Sequence, residues 1–369
     1  MRIKIIYFAG FAVMLVSLFF MNCESKNPIG IDDDEVFQVR VLKWYEGRRA
    51  AVSLTYDACW GADPRLQDAV DAVLSRNLRI DFELVTGLFD TPAQSFLVDQ
   101  MRNEMIPKGI HFFGHGHDHI CHDSLSFDLA YISFKKCYDL MKQWGLSPNA
   151  YAYPGSAGRL ETTQLANKLA GFICARGVTY KEHEFYICPN STTQPSNWYY
   201  LPSIPVALEY DNYIQNHDEM APILSAAIDS SAWVIIMYHA IGIPEGWGYY
   251  PYEEFLRDLD QIAAEDFWCA NFDNVAQYIQ EKNNLSVEKY CYSSKFGNWK
   301  YYITFRDNLD SDIYTQPLTI EFIFSPKINV KKFYIDPPIE SKTEYDVTEN
   351  MIRLNIVPDE VRYRINIRN

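Results

Sequence analysis

Residues 50–61 read AAVSLTYDACWG. Seven mostly apolar residues run together, then an aspartate stands at the point where the chain begins to turn. A short apolar run of this kind, rich in β-branched and aromatic residues, reads as a buried strand. Working outward, similar runs recur at IDFELV (80–85), IHFFG (110–114), AYAYP (150–154), GFICA (171–175), WVIIMY (233–238) and FWCANF (267–272). Between them the apolar residues fall at helical spacing: Leu66, Ala69, Val70, Val73 and Leu74, then Phe255, Leu256, Leu259, Ile262 and Ala263, then Val275, Ala276, Tyr278 and Ile279. Strand–helix alternation across residues 43–283 predicts an α/β domain, a deformed (β/α)7–8 barrel.

In parallel α/β folds, ligands gather where the carboxyl ends of the strands meet their loops. Asp57, His115, Pro154 with Gly155, and His239 each follow an apolar run. They therefore belong to one end of the expected barrel. The stretch HFFGHGHDHICH (111–122) adds weight, since it holds five of the chain's eight histidines. Metal binding or proton transfer explains such a cluster better than a core or a solvated loop does.

Past a polar break at EKNNLSVEK (281–289) the apolar period changes from helical to alternating. Trp299, Tyr301, Ile303 and Phe305 alternate with polar neighbours, as do Leu318, Ile320, Phe322 and Phe324. Residues 290–369 are expected to form a small antiparallel β domain, with the PDE at 358–360 as a hairpin turn. At the other end, Arg2 and Lys4 precede an apolar run from Ile5 to Met21 and then Cys23. Residues 1–23 resemble a secretory or lipoprotein signal with Cys23 as the lipidated residue, and 24–42 read as a polar tether. An exported chain is expected, periplasmic or at the cell surface, reaching a membrane only through that lipid.

The formal charge of −15 becomes −17 without Arg2 and Lys4, 31 basic residues against 48 acidic. Such a chain repels phosphate backbones, so nucleic acid is not an expected partner, whereas neutral or acetylated sugars are compatible. Seven cysteines follow Cys23, with no CxxC pair to suggest a zinc ribbon.

The barrel region resembles the polysaccharide deacetylases of the NodB-homology type, carbohydrate esterase family four. AVSLTYDACWG (51–61) is similar to the first motif, HFFGHGHDH (111–119) to the second, AYAYPG (150–155) to the third and WVIIMYHAIG (233–242) to the last, all in order. The resemblance implies hydrolytic removal of N- or O-acetyl groups from a glycan. It implies a divalent metal on His115 and His119, zinc first with cobalt, nickel or manganese as alternatives. It implies Asp57 as general base, His239 as proton donor to the leaving group, and the Gly155 N–H as oxyanion donor. Tyr153 and Pro154 would belong with Gly155 to the substrate and oxyanion site, Met237 and Tyr238 would wall the acetyl pocket, and Arg176 would orient Asp57.

One position departs from the family pattern. Where the first motif carries a second, metal-binding aspartate, this chain has Ala58. Asp57, His117, Asp118, His122 or Cys59 remain open as the missing ligand. A metal-free, catalytically inactive carbohydrate-binding protein is an alternative, as is a hydrolase of non-peptide C–N bonds on the same fold. Each residue also has an ordinary reading: Asp57 as a helix N-cap, His239 as a capped half-buried histidine, Arg176 as a surface ion pair. His183 and His217 read as solvated.

Overall fold

The computed structural model describes residues 35–62, 65–189, 195–295 and 297–369. The signal segment, Cys23 and the first part of the tether lie outside the described residues. Among the described residues no helix is long and apolar enough to cross a membrane.

The chain enters through β1 (Phe37–Val41) and then builds the barrel. Its strands are β2 (Ala50–Tyr56), β3 (Asp81–Leu84), β4 (His111–Gly114), β5 (Ala150–Ala152), β6 (Cys174–Arg176), β7 (Ile204–Pro205), β8 (Trp233–Tyr238) and β9 (Phe267–Cys269). Helices α1 (Leu66–Ser75), α2 (Thr86–Phe89), α3 (Ser95–Gln100), α4 (Phe127–Gln143), α5 (Glu161–Ala170), α6 (His217–Ser230), α7 (Tyr252–Ala264) and α8 (Phe272–Asn284) lie between or after the strands. Every apolar run named above yields a strand, and the parallel order is β6-β5-β4-β3-β2-β8-β7. Residues 198–203 hydrogen-bond along 175–179 through Ala175 N to Trp198 O, Gly177 N to Leu201 O and Thr179 N to Ser203 O. Since β7 follows them and pairs with β8, the sheet curls back on itself.

The barrel is deformed where β2 is shared. β9 pairs with its first residues, Ala50–Val52, while β3 pairs with its last, Thr55 and Tyr56. Asp81 spans the resulting split. Its two carboxylate oxygens accept from Asn271 Nδ2 and from the backbone N–H of Phe272, both at 2.6 Å, and so hold the start of α8 to β3.

The remaining strands are β10 (Ser286–Lys295), β11 (Asn298–Arg306), β12 (Leu318–Phe324), β13 (Lys332–Ile339), β14 (Lys342–Asp346), β15 (Met351–Ile356) and β16 (Asp359–Arg368). They form two antiparallel sheets, β1-β12-β15 and β10-β11-β16-β13-β14, around a core of Trp299, Tyr301, Phe305, Phe322 and Phe333. The alternating residues of β11 and β12 are buried as expected, because one face of each sheet meets this core.

Three expectations need correction here. Residues 37–41 are a strand within the tail's sheet and not part of a tether: β1 pairs antiparallel with β12, and Phe37 is buried against Tyr301 and Phe322. The β module begins earlier than residue 290, since α8 runs to Asn284 and β10 starts at Ser286 within the polar break. The PDE segment is not a hairpin turn. It carries the chain from β15 in one sheet to β16 in the other, because the alternation of both strands is satisfied by opposite sheets.

Candidate metal centre and catalytic site

Strands β2 to β6 and β8, or the loops that follow them, line one cavity of about 440 Å³, with Asp57, Glu83, His115, His119, Gly155, Val178 and His239 among its walls. The strands are parallel, so their carboxyl ends open on the same side of the barrel. Asp57 follows β2, His115 follows β4 and His239 follows β8. Gly116 at φ 89° and His119 at φ 50° turn the chain sharply, bringing the His119 ring to 4.9 Å from that of His115. Gly is the residue that takes such a φ without strain.

Glu83, inside β3 and absent from the sequence-based candidates, brings a carboxyl group to the cavity where Ala58 has no donor atom. One ligand atom from each of Glu83, His115 and His119 lies within 4.8 Å of the others. His115 Nε2 is 3.2 Å from Glu83 Oε2, and the Cys59 thiol donates to Glu83 Oε1 at 3.6 Å. Zinc–ligand bonds of about 2.0–2.2 Å put tetrahedral donors roughly 3–4 Å apart, close to the spread of this set. Burial, and next the charge of Asp57, push the Glu83 carboxyl up to about 8. Burial pulls His115 down to about 3, leaving a neutral imidazole with a lone pair to offer. Among the described residues no lysine or arginine forms an ion pair with Glu83, and the buried His115 Nδ1 has no hydrogen-bond partner. One carboxyl group and two imidazoles, grouped where no lysine or arginine pairs with Glu83, fit a divalent cation.

On the other side of the cavity, Asp57 meets the guanidinium of Arg176, which stands at the end of β6 with only 1% of its side chain exposed. Arg176 also lies over the Phe113 ring, 5.1 Å from its centroid. Burial alone would raise the Asp57 carboxyl, but Arg176 above all, with His239 and His115, holds it below the usual range. His239 Nε2 is 3.9 Å from Asp57 Oδ2, and its ring meets the edge of Trp247 at 4.3 Å. Burial lowers His239 to about 4 against the opposing pull of Asp57.

The structure thus gathers Asp57, Arg176, His115, His119, His239, Tyr153, Gly155 and Met237 around the cavity, and leaves other candidates out. His117 faces Thr86, with Nδ1 3.1 Å from Oγ1, and its carbonyl accepts from Gly87 N. His122 is buried against Phe134, ring to ring at 4.1 Å, and bonds Ser133 Oγ at 3.0 Å. Asp118 pairs weakly with His117 and is largely exposed. Cys59 touches the metal set only through Glu83; burial raises its thiol well above the ordinary range, so it stays protonated. All seven described cysteines are free. Pro154 is buried and does not line the cavity, and Tyr238 points into the core, where its hydroxyl donates to Asp258 Oδ2 at 3.1 Å. His217 is not solvated either, since its Nδ1 lies 2.9 Å from Asp258 Oδ1.

No family model matches the chain, and no curated protein matches its sequence. Its fold is similar to several solved structures. A family 4 carbohydrate esterase from Streptomyces lividans, solved in complex with acetate, is 11% identical over 60% of this chain and 91% of that one, with a TM-score of 0.37. A protein from Mycobacterium smegmatis described as a polysaccharide deacetylase is 15% identical over 67% and 96%, with a TM-score of 0.44. A CE4 family pseudoenzyme from Bacillus anthracis is 11% identical over 61% and 65%, with a TM-score of 0.39.

Proposed function

We propose that this protein is a metal-dependent hydrolase that removes N- or O-acetyl groups from a polysaccharide or oligosaccharide. The observation that carries the reading is the placement of Glu83, His115 and His119 across one cavity from an Asp57–Arg176 pair and His239. The motifs around Asp57, His115 and His239 support it from the sequence.

A divalent ion on the three ligands, zinc before cobalt, nickel or manganese, supplies Lewis acidity for an acyl carbonyl and for water. Asp57 is the group that accepts the attacking water's proton, and Arg176 fixes which oxygen faces the cavity. Because His239 rests neutral at pH 7, the proton it delivers to the leaving nitrogen or oxygen must arrive during turnover. Asp57, at 3.9 Å, is its source. Gly155, which lines the cavity, would offer its backbone N–H as oxyanion donor, and Met237 with Val178 would wall the methyl group. The same reading has the chain exported and held at a membrane by a lipid on Cys23, with no nucleic-acid partner.

Elemental analysis of purified protein, combined with acetate release from acetylated oligosaccharides, tests this reading. Stoichiometric divalent metal and an activity lost in His115→Ala are expected. Metal-free protein that releases no acetate yet binds the glycan would replace it with the inert binding role. Turnover of small amides without acetate would replace it with the C–N hydrolase.

A further inference from the structure

The outer face of the sheet β10-β11-β16-β13-β14 carries an unusual set of side chains for a module whose other face is core. Cross-strand register puts Glu288 opposite Thr304 and Tyr290 opposite Tyr302, with Arg362 opposite Thr304 on the next strand. Side chains paired in this way share one face. Thr304 is short, so the face sinks there into a depression of about 430 Å³ walled by Tyr290, Tyr302, Glu288, Arg306, Glu360 and Arg362. Tyr290 is 64% exposed, and Tyr292 stacks on Tyr302 at 4.5 Å with Arg362 4.1 Å from the Tyr302 centroid. Tyr290 stands open to solvent beside the hollow, whereas the Tyr302 ring is packed between its neighbours Tyr292 and Arg362.

Charge narrows the ligand. Residues 286–369 hold twelve Lys and Arg against twelve Asp and Glu, so the whole net charge of −15 belongs to the rest of the chain. Around the hollow, Arg306 meets Glu288 at 3.1 Å and Glu360 at 3.3 Å, a fork of donors set among acceptors with little net field. The Arg306 Nε nevertheless has no hydrogen-bond partner, because Glu360 lies out of line with its N–H. An aromatic wall beside balanced donors and acceptors matches a ligand with one apolar face and a rim of hydroxyls. A polyanion gains nothing from the balanced face and is repelled by the barrel.

We propose that this depression is a second carbohydrate-binding site, taking an uncharged pyranose unit of a polysaccharide with one face on Tyr290 and its hydroxyls on Arg306, Glu288, Glu360 and Arg362. The site lies on the β module and does not depend on the barrel's chemistry.

Affinity electrophoresis of the full chain tests it, in gels containing neutral polysaccharides (xylan, glucomannan, dextran and glycol chitin in turn) or polygalacturonate. Retardation by at least one neutral polymer is expected. The binding should weaken at least tenfold in Tyr290→Ala and in Arg362→Ala, and survive in Tyr290→Phe. His115→Ala should migrate as the unaltered chain does, which separates this site from the cavity in the barrel. Circular dichroism of each variant guards against misfolding, and both altered side chains are exposed. The proposal is overturned if no neutral polymer retards the chain, if Tyr290→Ala binds unchanged, or if binding is lost in His115→Ala alone. Retention only by polygalacturonate, single-stranded DNA or anionic vesicles would overturn it as well.

Discussion

Glu83 sits on β3 with His115 at 3.2 Å and a thiol on its other oxygen. Replacing it with glutamine keeps the shape and removes the carboxylate it would present to a cation once deprotonated. The Glu83→Gln variant should bind zinc at least tenfold more weakly by calorimetry, with a native circular dichroism spectrum. Equal affinity would show that Glu83 is not a ligand. Asp57→Asn should reduce kcat by about 10²–10⁴, the usual span for a lost acid–base group. Arg176→Lys should lower kcat with less effect on KM, because a lysine cannot reproduce the fixed fork that faces the Asp57 carboxylate. Asp57, His115 and His239 were legible because each ends an apolar run. Glu83 was not, since inside IDFELV an ionisable residue reads as the polar half of an alternation. Only the curl of the sheet turns it toward the cavity.

Strands decide the site and also a seam in the barrel wall. Seven apolar runs became strands in the expected order, whereas β7, two residues long, left no periodic trace. Where β3 and β9 divide one edge of β2, Asp81, His111 and Asp273 form a buried cluster, with His111 Nδ1 3.3 Å from Asp273 Oδ1. Burial raises Asp81 to about 7, above its unfolded value of 3.8. Between those values the folded chain binds more protons than the unfolded one, so stability falls as pH rises. His111 is raised above 6.5, chiefly by its bond to Asp273 working against burial. Its contribution is present below 6.5 and is lost as pH rises further, which has the same sign. The seam should therefore lower Tm between pH 5 and pH 8, against the opposite pull of the buried neutral His115 and His239, and Asp81→Asn should remove the seam's part of that slope. An unchanged slope would show that the seam does not titrate.

At the scale of the whole molecule, the two modules share elements. β1 precedes the barrel in sequence and pairs within the tail, while Tyr278 of α8 packs into the tail's core and donates to Leu42 O at 3.0 Å. Sequence periodicity marked the tail correctly but could not place five residues near the other end of the chain, because strand pairing across some 280 positions leaves no local signal. Deleting residues 286–369 should leave β1 unpaired and Phe37 bare, yielding insoluble protein. A soluble, monomeric barrel from that truncation would show that the modules fold separately.

The pairing of β1 with β12 also sets the route of mechanical load. Tension on the N-terminal side of the chain reaches the tail's sheet before it reaches any barrel strand. The hydrogen-bonded ladder from Phe37–Phe324 to Val41–Ile320 takes the pull first, before it reaches β2 and the Asp57 that follows it.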